Sequence, residues 1–71
     1  MEQREIILTD GSRYIGELQD GKPHGQGKIT WSDGIAYIGA FENGEPHGHG
    51  KLISQNGFGI ACEFKNGLYV R

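Results

Sequence analysis

Asp-Gly and Asn-Gly pairs recur along this chain on a fixed beat. They stand at Asp10-Gly11, Asp20-Gly21, Asp33-Gly34, Asn43-Gly44, Asn56-Gly57 and Asn66-Gly67. The intervals alternate 10, 13, 10, 13, 10, so the underlying period is 23 residues. A period of that length signals stacked supersecondary units. The dipeptides themselves signal tight hairpins, because both residues tolerate the positive φ that such turns need.

Two full copies align residue by residue. Tyr14 to Lys28 matches Tyr37 to Lys51, and Ile29 to Gly34 matches Leu52 to Gly57. Before them, Ile6, Leu8 and Gly11 run in phase with Ile29, Trp31 and Gly34. After them, residues 60–67 match the front half of a third copy. The expected organisation is one domain over 1–71: an N-terminal half-repeat at 1–13, repeats at 14–36 and 37–59, and a truncated third repeat at 60–71.

Alternation assigns the elements. Tyr14, Gly16 and Leu18 share one face of a strand, and Ile15 and Glu17 the other, since side chains alternate across a pleat. Glycine and proline recur too often for helix, and no stretch holds a 3.6-residue period. The fold class is therefore all-β: an elongated single-layer antiparallel meander of hairpins. About six strands are expected, near 4–9, 12–18, 27–32, 35–41, 50–55 and 58–65, with residues 68–70 pairing back onto the last.

Composition narrows the function. Thirteen glycines and only 35% hydrophobic residues leave a small core, marginal on its own. Seven basic and nine acidic residues are interspersed, which argues against a nucleic-acid footprint. No apolar run would span a bilayer, and the N-terminus lacks the layout of a signal peptide. Cys62 is the single cysteine, expected as a small apolar filler in a reducing compartment, the cytoplasm.

Tyr-x-Gly, then Gly-x-x-His-Gly-x-Gly, then a closing Asp/Asn-Gly resembles the MORN repeat (membrane occupation and recognition nexus). The motifs are Tyr14/Gly16, Gly21/His24/Gly25/Gly27 and Gly34, then Tyr37/Gly39, Gly44/His47/Gly48/Gly50 and Gly57. The resemblance implies a twisted antiparallel sheet of successive hairpins. The third copy departs from it, with Ile60 for tyrosine, Cys62 for glycine, and Val70 and Arg71 in place of His-Gly. That reads as a half-repeat capping the array.

The glycines have structural work. A bare backbone at Gly16 and Gly39 lets an aromatic ring lie flat across the strand. Gly25, Gly27, Gly48 and Gly50 are expected to bend a loop over the same face, with Pro23 and Pro46 stiffening it. The histidine after each proline would close over a tyrosine. The expected core face holds Ile6, Leu8, Tyr14, Leu18, Ile29 and Trp31, continued by Tyr37, Phe41, Leu52, Ile60 and Phe64.

No chemistry-bearing constellation stands out. His47-x-His49 offers at most two ligands where zinc wants three or four. Gly25-Gln26-Gly27-Lys28 and Gly48-His49-Gly50-Lys51 resemble part of a phosphate loop but lack its full spacing and its helix. Ser12, Ser32 and Ser54 lack a recurring histidine-acid arrangement, and Ala40 replaces Glu17 in the second copy. Neither catalytic residue, metal nor cofactor is expected, and the chain is not read as an enzyme.

The other face is more informative. Ile15 and Ile38 occupy the x of Tyr-x-Gly, and Ile7, Thr30, Ala36, Ala40, Ile53 and Ala61 should share their side. The bland account is that β-branched residues favour strands. The functional one is a second apolar surface, which a single-layer sheet would bury against a partner. The expected binding residues are Ile7, Ile15, Ile38 and Ile53, with rim contacts from Lys28 and Lys51. The expected partner is another protein or a second copy of the chain, which makes this a small adaptor or scaffold. The rival is a membrane-surface module for anionic phospholipids such as phosphoinositides, weakened by the dilution of basic residues with acids.

Overall fold

In the computed structural model, which describes residues 3–71, every pair of neighbouring strands is joined by one of two turn chemistries. Seven strands result: β1 (Gln3–Ile7), β2 (Arg13–Gln19), β3 (Lys22–Thr30), β4 (Ala36–Glu42), β5 (Glu45–Ile53), β6 (Gly59–Lys65) and β7 (Leu68–Tyr69). They form one sheet in sequence order, each pair antiparallel. Six spacings of about 4.8 Å give about 29 Å, close to the longest extent of 30 Å. The meander is therefore open.

The alternating beat is an alternation of turns. Asp20-Gly21, Asn43-Gly44 and Asn66-Gly67 each place both residues at positive φ, 53°/77°, 53°/88° and 51°/83°. Those are the two-residue primed turns whose twist matches the strands they join. The other three connections are three-residue loops closed by the pairs Leu8/Ser12, Trp31/Ile35 and Ser54/Phe58. Gly11 N donates to the Leu8 carbonyl at 3.0 Å, and Leu8 N donates to the Ser12 carbonyl at 2.8 Å. Here only the glycine is left-handed, at φ 91°, as in a type I turn followed by a bulge residue. Trp31–Ile35 and Ser54–Phe58 repeat the same bonds.

The second beat is longer because β3 and β5 are nine residues and irregular. Opposite β2, the register runs Gly16↔Gly27 and then Leu18↔Pro23; opposite β4 it runs Gly39↔Gly50 and then Phe41↔Pro46. Three residues of the longer strand thus face one of the shorter, an enlarged form of the β-bulge. The expected loops at Lys22–Gln26 and Glu45–His49 are strand instead. Proline weighed against strand there, but Pro23 and Pro46 use their carbonyls, which accept from Gly44 N (2.9 Å) and Gly67 N (3.0 Å) of the next hairpin.

The core lies on one face of the sheet. Cross-strand partners place Ile6, Tyr14, Ile29, Tyr37, Leu52 and Ile60 in one row, and Gly16, Gly27, Gly39, Gly50 and Cys62 in the next. The tyrosine rings lie flat on the glycine row, as expected. A Cβ on Gly27 would stand 2.3 Å from the Tyr14 hydroxyl, and one on Gly50 2.5 Å from the Tyr37 ring. Each ring reaches past the glycines to the residue that the bulge takes out of register. Tyr14 donates to the Glu17 carbonyl at 2.6 Å and Tyr37 to the Ala40 carbonyl at 3.0 Å. Tyr14, Phe41, Tyr37, Phe64 and Tyr69 then form a chain of edge-to-face contacts, with centroids 4.9–5.8 Å apart.

The third copy solves the same problem without a tyrosine. Glu63, in phase with Ala40, has its carbonyl taken by Val70 N at 2.8 Å, and its own N–H donates to Arg71 at 2.7 Å. With Ile60 standing where the other copies have the tyrosine, the position of Cys62 takes a side chain where they have glycine, and it is buried. The expected return of residues 68–70 onto the last long strand is thus present.

One core expectation fails. Ile60 was placed in the core but is 55% exposed, because β7 lies beside Phe64 and Lys65 and not beside Ile60. Ala36 sits on the outer face as expected, yet it is buried. Its cross-strand partners Thr30 and Ile53 flank it on both sides.

Candidate interaction face

The outer face is built from two cross-strand rows. Glu5, Ile15, Lys28, Ile38, Lys51 and Ala61 are successive partners across six strands. Ile7, Arg13, Thr30, Ala36, Ile53 and Gly59 form the row beside them. All six residues singled out from the sequence therefore share one side of the sheet. Ile7, Ile15 and Ile38 are 68%, 48% and 41% exposed; Lys28 and Lys51 are exposed, and Ile53 is half-buried.

Ile15 and Ile38 are not neighbours along their row. Ile15 and Ile38 are separated by Lys28, two strand spacings or about 10 Å apart. The stripe is thus a mosaic in which lysine stems, apolar along most of their length, can cover the gaps between branched side chains. Arg13 adds a third cation to this face, and alternation alone did not single it out. Its guanidinium stands 3.7 Å from the Glu5 carboxylate, an exposed pair of little energetic weight.

The histidine loops show a tie between repeats. His47 Nδ1 accepts from Asn66 N at 3.1 Å, so the ring braces the turn of the following hairpin. That is a different task from the expected closure over a tyrosine. Among the described residues, no three His, Cys, Asp or Glu side chains converge as metal ligands would. Burial raises the pKa of the Cys62 thiol and of the Tyr14 and Tyr37 hydroxyls. All three stay protonated at neutral pH, so none is an activated nucleophile.

A second feature lies at the tyrosine-face end of β5 and β6. A shallow apolar depression of about 310 Å³ is lined by Ile35, Leu52, Ile53, Ser54, Phe58 and Ile60. Phe58 is 76% exposed. The sequence carried a signal for it: Phe58 is in phase with Ser12 and Ile35, and Ile60 with the tyrosines.

Comparison with known families agrees with this geometry. The MORN repeat matches residues 14–35 and 37–58, two consecutive copies. The chain belongs to the MORN-repeat family. No curated protein matches it. MORN repeats are modules often found in protein or membrane interactions, and theirs is not a known enzyme family. Among the described residues no helix is long and apolar enough to cross a membrane.

Proposed function

We propose that this chain is a non-enzymatic interaction module, an adaptor or scaffold that binds a protein partner or a second copy of itself through the outer face. One observation carries the reading: three isoleucines stay substantially exposed on one side of a sheet whose core is on the other. Ile15 and Ile38 form the centre, Ile7 and Ile53 extend it, and Lys28 and Lys51 supply the polar rim. The tyrosine-glycine lattice holds the face rigid, so that little ordering entropy is lost on binding. A protonated, buried Cys62 suits a reducing compartment, and we place the module in the cytoplasm.

The test is the pair Ile15→Glu with Ile38→Glu. Both positions are exposed, so the circular-dichroism melt should stay close to that of the unaltered protein. Capture of the partner in pull-down, or pairing of two copies through this face, should drop at least tenfold. Undiminished binding by the folded double variant would remove the outer face from consideration.

Arg13, Lys28 and Lys51 on one face favour a second reading, docking to an anionic membrane surface. At about 1 kcal/mol per cation, three contribute about 3 kcal/mol at low salt, which is modest for stable attachment. Co-sedimentation with phosphatidylserine vesicles separates the readings. Weak pelleting is expected; strong pelleting that salt abolishes would put the lipid surface ahead of the protein partner.

A further inference from the structure

The two rims of the sheet are complementary. β1 is in phase with the later halves of β3 and β5, because Ile6 aligns with Ile29 and Leu52 at the 23-residue period. It is thus the type of strand that pairs on the far side of β4. β6 is the counterpart of β4. Its outer edge carries β7 from Glu63 onward, and from Gly59 to Cys62 no described strand lies beside it. β1 forms the opposite rim, with its outer edge likewise unpaired in the described sheet.

The geometry points to a second copy of this chain as the occupant of the β6 edge, its β1 adding antiparallel to Gly59–Cys62 and continuing the sheet head to tail. The register is given by β4 and β5, which pair Ala36↔Ile53, Tyr37↔Leu52, Ile38↔Lys51 and Gly39↔Gly50. Carried forward one period, these become Gly59 opposite Ile7, Ile60 opposite Ile6, Ala61 opposite Glu5 and Cys62 opposite Arg4 of the incoming copy. Main-chain bonds of an added strand supply attraction, and side chains on alternate faces supply selection.

Three features of the rims fit that register. First, the depression beside Phe58 and Ile60 lies where the incoming Ile6 would enter, as Leu52 sits beside Tyr37. The exposed Ile60 and Phe58 would then be covered. Second, the charges match. The outer row runs from Glu5 at one rim to Lys51 and the small Ala61 at the other. Lys51 and the incoming Glu5 would stand about 10 Å apart at their backbones, within reach of their side chains over the alanine. Glu5 keeps its own Arg13 neighbour, 3.7 Å away, at the same time. Third, the bond between successive hairpins has its next members in place. Gly44 N donates to Pro23 and Gly67 N to Pro46; one period on, Gly21 N of the incoming copy meets the Tyr69 carbonyl. A contact between unlike surfaces of this kind extends into a row of copies unless its rotation closes a ring.

Cysteine pairing tests this, independently of the outer-face reading. In a Cys62→Ala background, Glu5→Cys and Ala61→Cys are made separately, mixed, and oxidised with copper phenanthroline. Directly opposite residues of an antiparallel pair have Cα atoms about 5 Å apart, inside the range of about 4.4–6.8 Å that a disulfide spans. Within one chain the two positions lie near opposite rims, four intervening strands apart. The expected product is the 5–61 heterodimer in large excess over both homodimers, with the double variant giving a ladder. A statistical mixture, or an excess of either homodimer, would overturn the proposal. Adding Ile15→Glu and Ile38→Glu should leave the heterodimer yield unchanged, which keeps this result separate from failure of the outer face.

Discussion

Tyr37→Ala is expected to remove most of the stability of this domain. Tyr37 is fully buried, its ring meets Phe41 at 5.4 Å and Phe64 at 4.9 Å, and its hydroxyl donates to the Ala40 carbonyl. Deleting a buried aromatic costs about 3–5 kcal/mol. A domain of this length has only about 4–11 kcal/mol in total, at about 0.05–0.15 kcal/mol per residue. Thermal unfolding should therefore shift down by about 15 °C or more, or the chain should fail to fold. Tyr37→Phe keeps the ring and loses only the hydroxyl bond, about 1 kcal/mol. Equal losses for the two variants would mean that the hydroxyl, and not ring burial, holds the repeats together.

Gly27→Ala should be nearly as damaging, and its sign makes it diagnostic. In an ordinary strand, alanine in place of glycine gains about 0.5–1 kcal/mol. Here the three atoms nearest the added methyl all belong to Tyr14, at 2.3, 2.5 and 2.5 Å. The ring is buried and has no free side to move into, so overpacking should cost about 2–3 kcal/mol. The effect should be coupled to the ring: Tyr14→Leu combined with Gly27→Ala should cost clearly less than the two changes added. Urea titrations of the two single variants and the double close that cycle. Additive losses would show that the glycine is required for its backbone alone.

These two variants also mark how far the sequence could be read. The cadence of Asp-Gly and Asn-Gly gave the turns because each dipeptide has one low-cost conformation, and that conformation is local. The tyrosine over glycine was legible because both members recur at fixed spacing. The strand character of Lys22–Gln26 was not, since a bulge is defined by the strand opposite and proline argues locally for a loop. Ile60 misled for a related reason: alternation states which face a side chain takes, and only the neighbouring element decides whether water reaches it. Ala36 is the converse, an outward methyl that is buried between the strands of Thr30 and Ile53. The outer face was legible as a set of isoleucines. Their interleaving with Lys28 and Lys51 required the register, which no single strand contains.

The order β1 to β7 has a consequence for how such a molecule comes apart. Each strand bonds only to those before and after it in sequence, so the main-chain ladder has two rims and is nowhere closed on itself. Loosening begins at a rim and proceeds inward one hairpin at a time, as in other linear arrays. In such a lattice robustness is a matter of length, and whatever shields a rim protects the interior more than any improvement made at its centre.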